Sequence, residues 1–76
     1  MGCFMNEPIR ELDVVALTVD LPAHKLLRGQ VGTVVMELSP DAVEVEFVDE
    51  HGATYALLTL PIIQLLRLHY HRVEAA

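Results

Sequence analysis

Residues 43–49 read VEVEFVD, and their alternation decides the fold. Val43, Val45 and Phe47 fall on one side of an extended chain, and Glu44 and Glu46 on the other. This period of two marks a strand with one buried face and one wet, acidic face. Just before it, "SPDA" (39–42) is a turn, with Pro40 presetting its φ and Asp41 able to bond its own backbone. Just after it, "DEHG" (49–52) closes a hairpin with Gly52 at the left-handed position, and "TYALLTL" (54–60) returns as the next strand.

Further upstream, "LLRGQVGTVVMEL" (26–38) holds two glycines. Gly29 fits a turn position with φ > 0, and "QVGTVVMELS" (30–39) follows as a strand. Gly32 inside that strand predicts a bulge or a close backbone approach. Val14, Val15, Leu17 and Val19 form a short aliphatic run, read as the first strand and ended by Pro22. The connection "LPAHKLLRG" (21–29) meanders, with Leu26 and Leu27 folding back onto the core. Downstream, "PIIQ" (61–64) suits a single helical turn and "LLRL" (65–68) a short fifth strand. The pattern predicts an all-β protein, a small SH3-like five-stranded barrel over residues 9–68 with a short helical turn before the last strand. Residues 1–8 are read as a flexible N-terminal tail and 69–76 as a C-terminal extension. An OB-fold wants a longer helix and more strand residues. The prolines and the Val and Thr content disfavour a helical bundle.

Seventy-six residues make one domain, near the lower limit at which a core sustains a fold unaided. The net charge of −6 argues against phosphate-backbone binding, which relies on clustered Lys and Arg, and against an anionic membrane surface. Cys3 is the only cysteine, so an intramolecular disulfide is ruled out and a reducing cytoplasm is expected. No apolar stretch reaches the length of a membrane span, and no secretory signal is expected. "MGCFMN" (1–6) begins like a myristoylation site, but Asn6 stands where Ser or Thr is wanted; Met5 serves equally well as the start.

The glycine pair is not a phosphate loop. Gly29-x-x-Gly32 lacks both the G-x-x-x-x-G-K-[ST] and the G-x-G-x-x-G spacing, and it opens into a strand rather than a helix. Gly29, Gly32 and Gly52 are structural. The form Gly-x-x-Gly-Thr-Val is similar to a turn in SH3-like modules, some of which bind RNA, yet only Lys25 and Arg28 are basic near it. Nucleic-acid binding is therefore not expected. His69 and His71 in "LHYHR" (68–72) invite a metal reading, with His24 or His51 as a third ligand. No Cys or carboxylate stands at ligand spacing beside them, so a polar chain end explains them better. Ser39, Cys3 and the threonines have no base nearby in sequence. No catalytic, cofactor-binding or metal residue is assigned, and no enzyme activity is expected.

Two features remain. Glu37, Glu44, Glu46, Asp49 and Glu50 are either a solvated face or a negative patch that steers a basic protein partner. The second feature is the apolar excess: 53% of residues are hydrophobic and 21% charged, too much to hide in one small barrel. In "TVVM" (33–36) and "YALLTL" (55–60) both alternating sets are apolar, and Ile62, Ile63, Leu65, Leu66 and Leu68 add to the total. Either loops and chain ends cover this surface, or it is a protein–protein interface. When the partner is absent, a homodimer or small homo-oligomer is expected.

Taken together, "ELDVVALTVDLP" (11–22), "LRGQVGTVV" (27–35), "VEVEFVDEHGATYALLTL" (43–60) and "QLLRL" (64–68) resemble a small bacterial family, the domain-of-unknown-function family 4926. The resemblance spans about residues 11–68. It implies a compact SH3-like barrel, found in cyanobacteria and other bacteria, whose gene lies beside another small reading frame as in toxin–antitoxin pairs. It brings no catalytic residues. The expected function is a non-enzymatic protein-binding module, the antitoxin-like member of a two-gene pair. The alternative is a self-associating accessory or structural subunit of a larger complex, such as a redox enzyme.

Overall fold

The structure is a computed structural model, and it describes residues 8–69. Five strands form one antiparallel sheet in the order β4-β3-β2-β1-β5. They are β1 (Val14–Leu17), β2 (Val31–Ser39), β3 (Ala42–Val48), β4 (Thr54–Pro61) and β5 (Leu65–Arg67). Between β4 and β5 the chain makes a 3-10 turn over Ile62–Gln64, started by Pro61 at φ −72° and ψ 144°. This is the all-β class that the alternation and the prolines predict. The sheet is not closed by a ladder between β4 and β5; its strand order is compatible with a small SH3-like fold. The tails assigned to residues 1–8 and 69–76 lie outside the described residues, apart from Pro8 and His69.

Alternation in β3 sets the core. Val43, Val45 and Phe47 are fully buried, and ladder partners carry that face across the sheet. Val34 pairs with Val45 and Val45 with Leu58; Val43 pairs with Leu60, Phe47 with Ala56, and Leu17 with Leu65. The connections complete the filling with Ile9, Leu21, Leu26 and Ile62. Leu21 and Leu26 bridge to each other across a second 3-10 turn, Pro22–His24, which the sequence reading treats as an irregular connection. Proline at its start supplies the fixed φ that such a turn uses. Leu26 is buried, but Leu27 is exposed; the expectation that both leucines fold inward is corrected at Leu27. Adjacent residues of an extended segment point opposite ways, and the Leu21–Leu26 bridge commits Leu26 to the core.

Gly32 is a close approach and not a bulge. A Cβ built there would lie 2.6 Å from Val45 Cγ1, 2.9 Å from the Glu46 carbonyl oxygen and 3.0 Å from Phe47 Cδ2. The backbones of β2 and β3 meet over the core at a point where only hydrogen fits. Gly29 and Gly52, by contrast, are turn residues at φ 95° and 84° with open space beside them. The bulges fall elsewhere, where β2 shifts register at Val35 and Leu38 and β4 at Tyr55.

One ion pair ties the sheet's far edge to its start. Arg67 Nε donates to Asp13 Oδ2 at 3.0 Å, and the same oxygen accepts the Arg10 backbone N–H at 2.8 Å. Nothing in the sequence marks this pair, because its members stand 54 residues apart. Within the Arg10–Asp13 turn, Leu12 has φ 75° and is 74% exposed, while its N–H donates to the Val34 carbonyl at 2.7 Å. A leucine in this left-handed conformation is strained by about 1–2 kcal/mol, and asparagine tolerates it better. Leu12→Asn should therefore raise stability by up to about 1 kcal/mol, read as a higher urea midpoint with an unchanged slope. A lower midpoint would show that the leucine side chain packs usefully where it stands.

Candidate functional site

The outer face of the sheet follows from the same registers. Ladder partners share a face, so three rows can be read across it. Leu66, Ala16 and Val31 form the first row across β5, β1 and β2. Val14, Thr33, Glu46 and Leu57 form the second, and Met36, Glu44 and Thr59 the third. Val48, opposite Thr54, continues this face at the end of β3. Leu66, Val31, Met36, Val48 and Leu57 are each about half exposed. Part of the apolar excess of the composition is thus set on this outer face, among Thr33, Glu44, Glu46 and Thr59, while Leu12, Leu27 and Ile63 are exposed elsewhere.

Glu44 and Glu46 sit among the aliphatic side chains of that face, both partly buried. They are two residues apart on one strand, which sets their side chains about 7 Å apart on the same face. Glu46 is flanked by Thr33 and Leu57 and accepts a hydrogen bond from the Thr54 hydroxyl. Glu44 is flanked by Met36 and Thr59. Aliphatic neighbours that thin out the water around a carboxylate strengthen its attraction for a cation. The arrangement suits an arginine or lysine whose alkyl stem lies on those aliphatic side chains while its charged head meets the acids.

The other acids of the expected patch are placed differently. Glu37 pairs in register with Val43, and its carboxylate accepts the Glu11 backbone N–H at 3.2 Å. The bulge at Val35 is the cause: one extra residue moves Met36 onto the outer face and takes Glu37 off it. Asp49 serves the hairpin turn, its Oδ1 accepting the backbone N–H groups of His51 at 2.8 Å and Ala53 at 3.0 Å. Glu50 stands in the same turn, 3.7 Å from His51 Nε2, both side chains exposed. Only Glu44 and Glu46 of the five form a pair on the outer face.

The histidines are spread out. His24 lies in the Pro22–His24 turn, His51 in the β3–β4 turn and His69 after β5, while His71 lies outside the described residues. Among the described residues no three His, Cys, Asp or Glu side chains gather as a metal ion would need. No helix among them is long and apolar enough to cross a membrane.

Three residues that sequence reasoning missed border the outer face or the core's end. Tyr55, the extra residue of the β4 bulge, accepts a hydrogen bond from Gln30 Nε2 at 2.8 Å, and its ring centroid is 6.4 Å from that of Phe47. Thr54 holds Glu46. A threonine at the start of an apolar strand is a faint signal.

Comparison with known proteins yields one match. Residues 11–67 match the family described as Domain of unknown function (DUF4926), and the chain belongs to it. No curated protein and no solved structure matches.

Proposed function

We propose that this member of the DUF4926 family is a non-enzymatic protein-binding module whose outer sheet face receives a basic segment of another protein. The observation that carries the reading is the Glu44–Glu46 pair set among half-exposed aliphatic side chains. Large exposed apolar patches rimmed by polar groups mark interaction surfaces, and the two acids give this one a preferred charge. The net charge of −6 favours a basic protein over nucleic acid or an anionic membrane. An antitoxin-like role in a two-gene pair fits, because an acidic face that occludes a basic toxin needs only such complementarity. On this reading the protein works in the cytoplasm and carries no cofactor.

The test is co-expression with a small basic protein encoded beside it, the partner that a two-gene pair would supply. The pair should co-purify, and Glu44→Lys with Glu46→Lys should abolish co-purification or slow association at least tenfold at low salt. Because both glutamates point away from the buried row of Val43, Val45 and Phe47, the double variant should keep its thermal midpoint within a few degrees. Unaltered binding by the folded double variant would sink the reading. A second reading, a self-associating accessory subunit of a larger complex, is favoured by one separate observation, the uncharged edge of β4.

A further inference from the structure

We propose that β4 is a pairing edge whose occupant is a second copy of this chain. The two copies join antiparallel about a two-fold axis at Leu58, so that their sheets become continuous. The sheet ends in β4 and β5, and the two edges differ. β5 is three residues long and carries Arg67, features that blunt an edge against pairing. The part of β2 that runs past β1 is also blunted, by bulges at Val35 and Leu38 and by Glu37. Among the described residues, β4 has no such protection along Ala56–Leu60. That stretch holds no charge, no proline and no register shift; the Tyr55 bulge bounds it on one side and Pro61 on the other.

Symmetry selects the register. An isologous antiparallel pair about Leu58 uses all five unprotected residues, setting Ala56 of one copy opposite Leu60 of the other and Leu57 opposite Thr59. Centring on any other residue pushes a bulge or a proline into the ladder.

Charge selects the geometry. If two copies stacked their outer faces, Glu44 and Glu46 of each would confront the same acids about 10 Å away across a dry layer. In edge pairing the two β3 strands stand three strand spacings apart, about 14 Å, which exceeds the Debye length of about 8 Å at physiological salt. A chain of net charge −6 can therefore pair through β4 with its acids screened from each other. The outer faces stay open, and the dimer presents two of them side by side.

Sedimentation equilibrium of the full chain from about 1 to 100 μM covers the range expected of an interface at the small end of the specific class. The mass should rise from one chain to two across that range. Leu57→Lys with Thr59→Lys should abolish the dimer and leave the fold intact. Within the chain the new ammonium groups face Glu46 and Glu44, whereas across the axis they face each other. In a Cys3→Ser background, Leu58→Cys should form a disulfide-linked dimer on mild oxidation, and Thr54→Cys, at the strand's end, should not. A monomer at every concentration would overturn the proposal, as would a dimer that survives the double lysine variant. Cross-linking as fast at Thr54→Cys as at Leu58→Cys would do the same. If the double lysine variant fails to fold, the two cysteine variants decide. A wild-type monomer whose β4 amides become protected only on adding a basic partner protein would assign the edge to a foreign strand and overturn the second copy.

Discussion

Phe47→Ala should remove about 3–5 kcal/mol of stability, roughly a third or more of what a chain of this length has. Phe47 is fully buried, is the largest side chain of the core, and stands where the Gly32 approach, the Ala56 partner and the Tyr55 ring converge. Truncating a buried phenylalanine costs about 3–5 kcal/mol, the lost transfer energy plus the cavity left behind. A chain of this length has about 4–11 kcal/mol of stability in total. No disulfide is available within the chain to make up the loss, since Cys3 has no partner cysteine. Urea unfolding followed by circular dichroism should show a midpoint lowered by at least about 1 M. A midpoint within a few tenths molar of wild type would mean that the sheet closes over the core in some other way.

The second large effect is expected at Gly32. Gly32→Ala adds a methyl group against Val45 Cγ1 at 2.6 Å, which side-chain rotation can partly relieve, and against the Glu46 carbonyl at 2.9 Å, which it cannot. Separating β2 from β3 at this point strains the central ladder of the sheet. Overpacking of this kind costs about 1–3 kcal/mol, and the lower backbone entropy of alanine returns only about 0.5–1 kcal/mol of that. Gly32→Ala should lower the urea midpoint clearly, and Gly32→Val should lower it further. Gly29 and Gly52 have open space beside them, yet alanine would be strained there too, because their φ angles of 95° and 84° lie in the left-handed region. A neutral Gly32→Ala would show that β2 and β3 lie further apart than the structure has them.

Much of this architecture was legible because β3 states it without ambiguity. Five residues alternating Val-Glu-Val-Glu-Phe permit one register, and the turns on either side carry Pro40 and Gly52. Pro61 announces the 3-10 turn that reverses the chain into β5. The bulges were not legible. Those at Val35, Leu38 and Tyr55 carry no glycine, and their positions depend on how two neighbouring strands fit rather than on local preference. A missed bulge changes parity, which is why Glu37 leaves the acidic pair and Met36 joins it. Leu27 failed for a related reason: in "KLLR" either leucine could take the buried place, and only the tertiary bridge from Leu21 to Leu26 decides. Asp49 shows a different limit, since a carboxylate that caps its own turn has the same composition as one that waits for a partner.

Functionally, the composition revealed an apolar surplus but not its location. The registers place part of it on one face around Glu44 and Glu46, and leave β4 as an edge that no described strand covers. In the proposed reading the two surfaces would divide the work: the face would select a partner by charge and aliphatic contact, and the edge would set how many faces one assembly offers. A basic partner with two-fold symmetry of its own would engage both faces at once and gain from the doubled valency.

The most direct measurement is a backbone amide chemical-shift titration of the labelled protein with the basic partner that the proposed two-gene pair would supply. The outer-face account predicts shifts concentrated on Thr33, Glu46 and Leu57 and on Met36, Glu44 and Thr59, weakening as salt is raised. Shifts confined to the Gly29–Gly32 turn, or no change along those two rows at saturating partner, would contradict it.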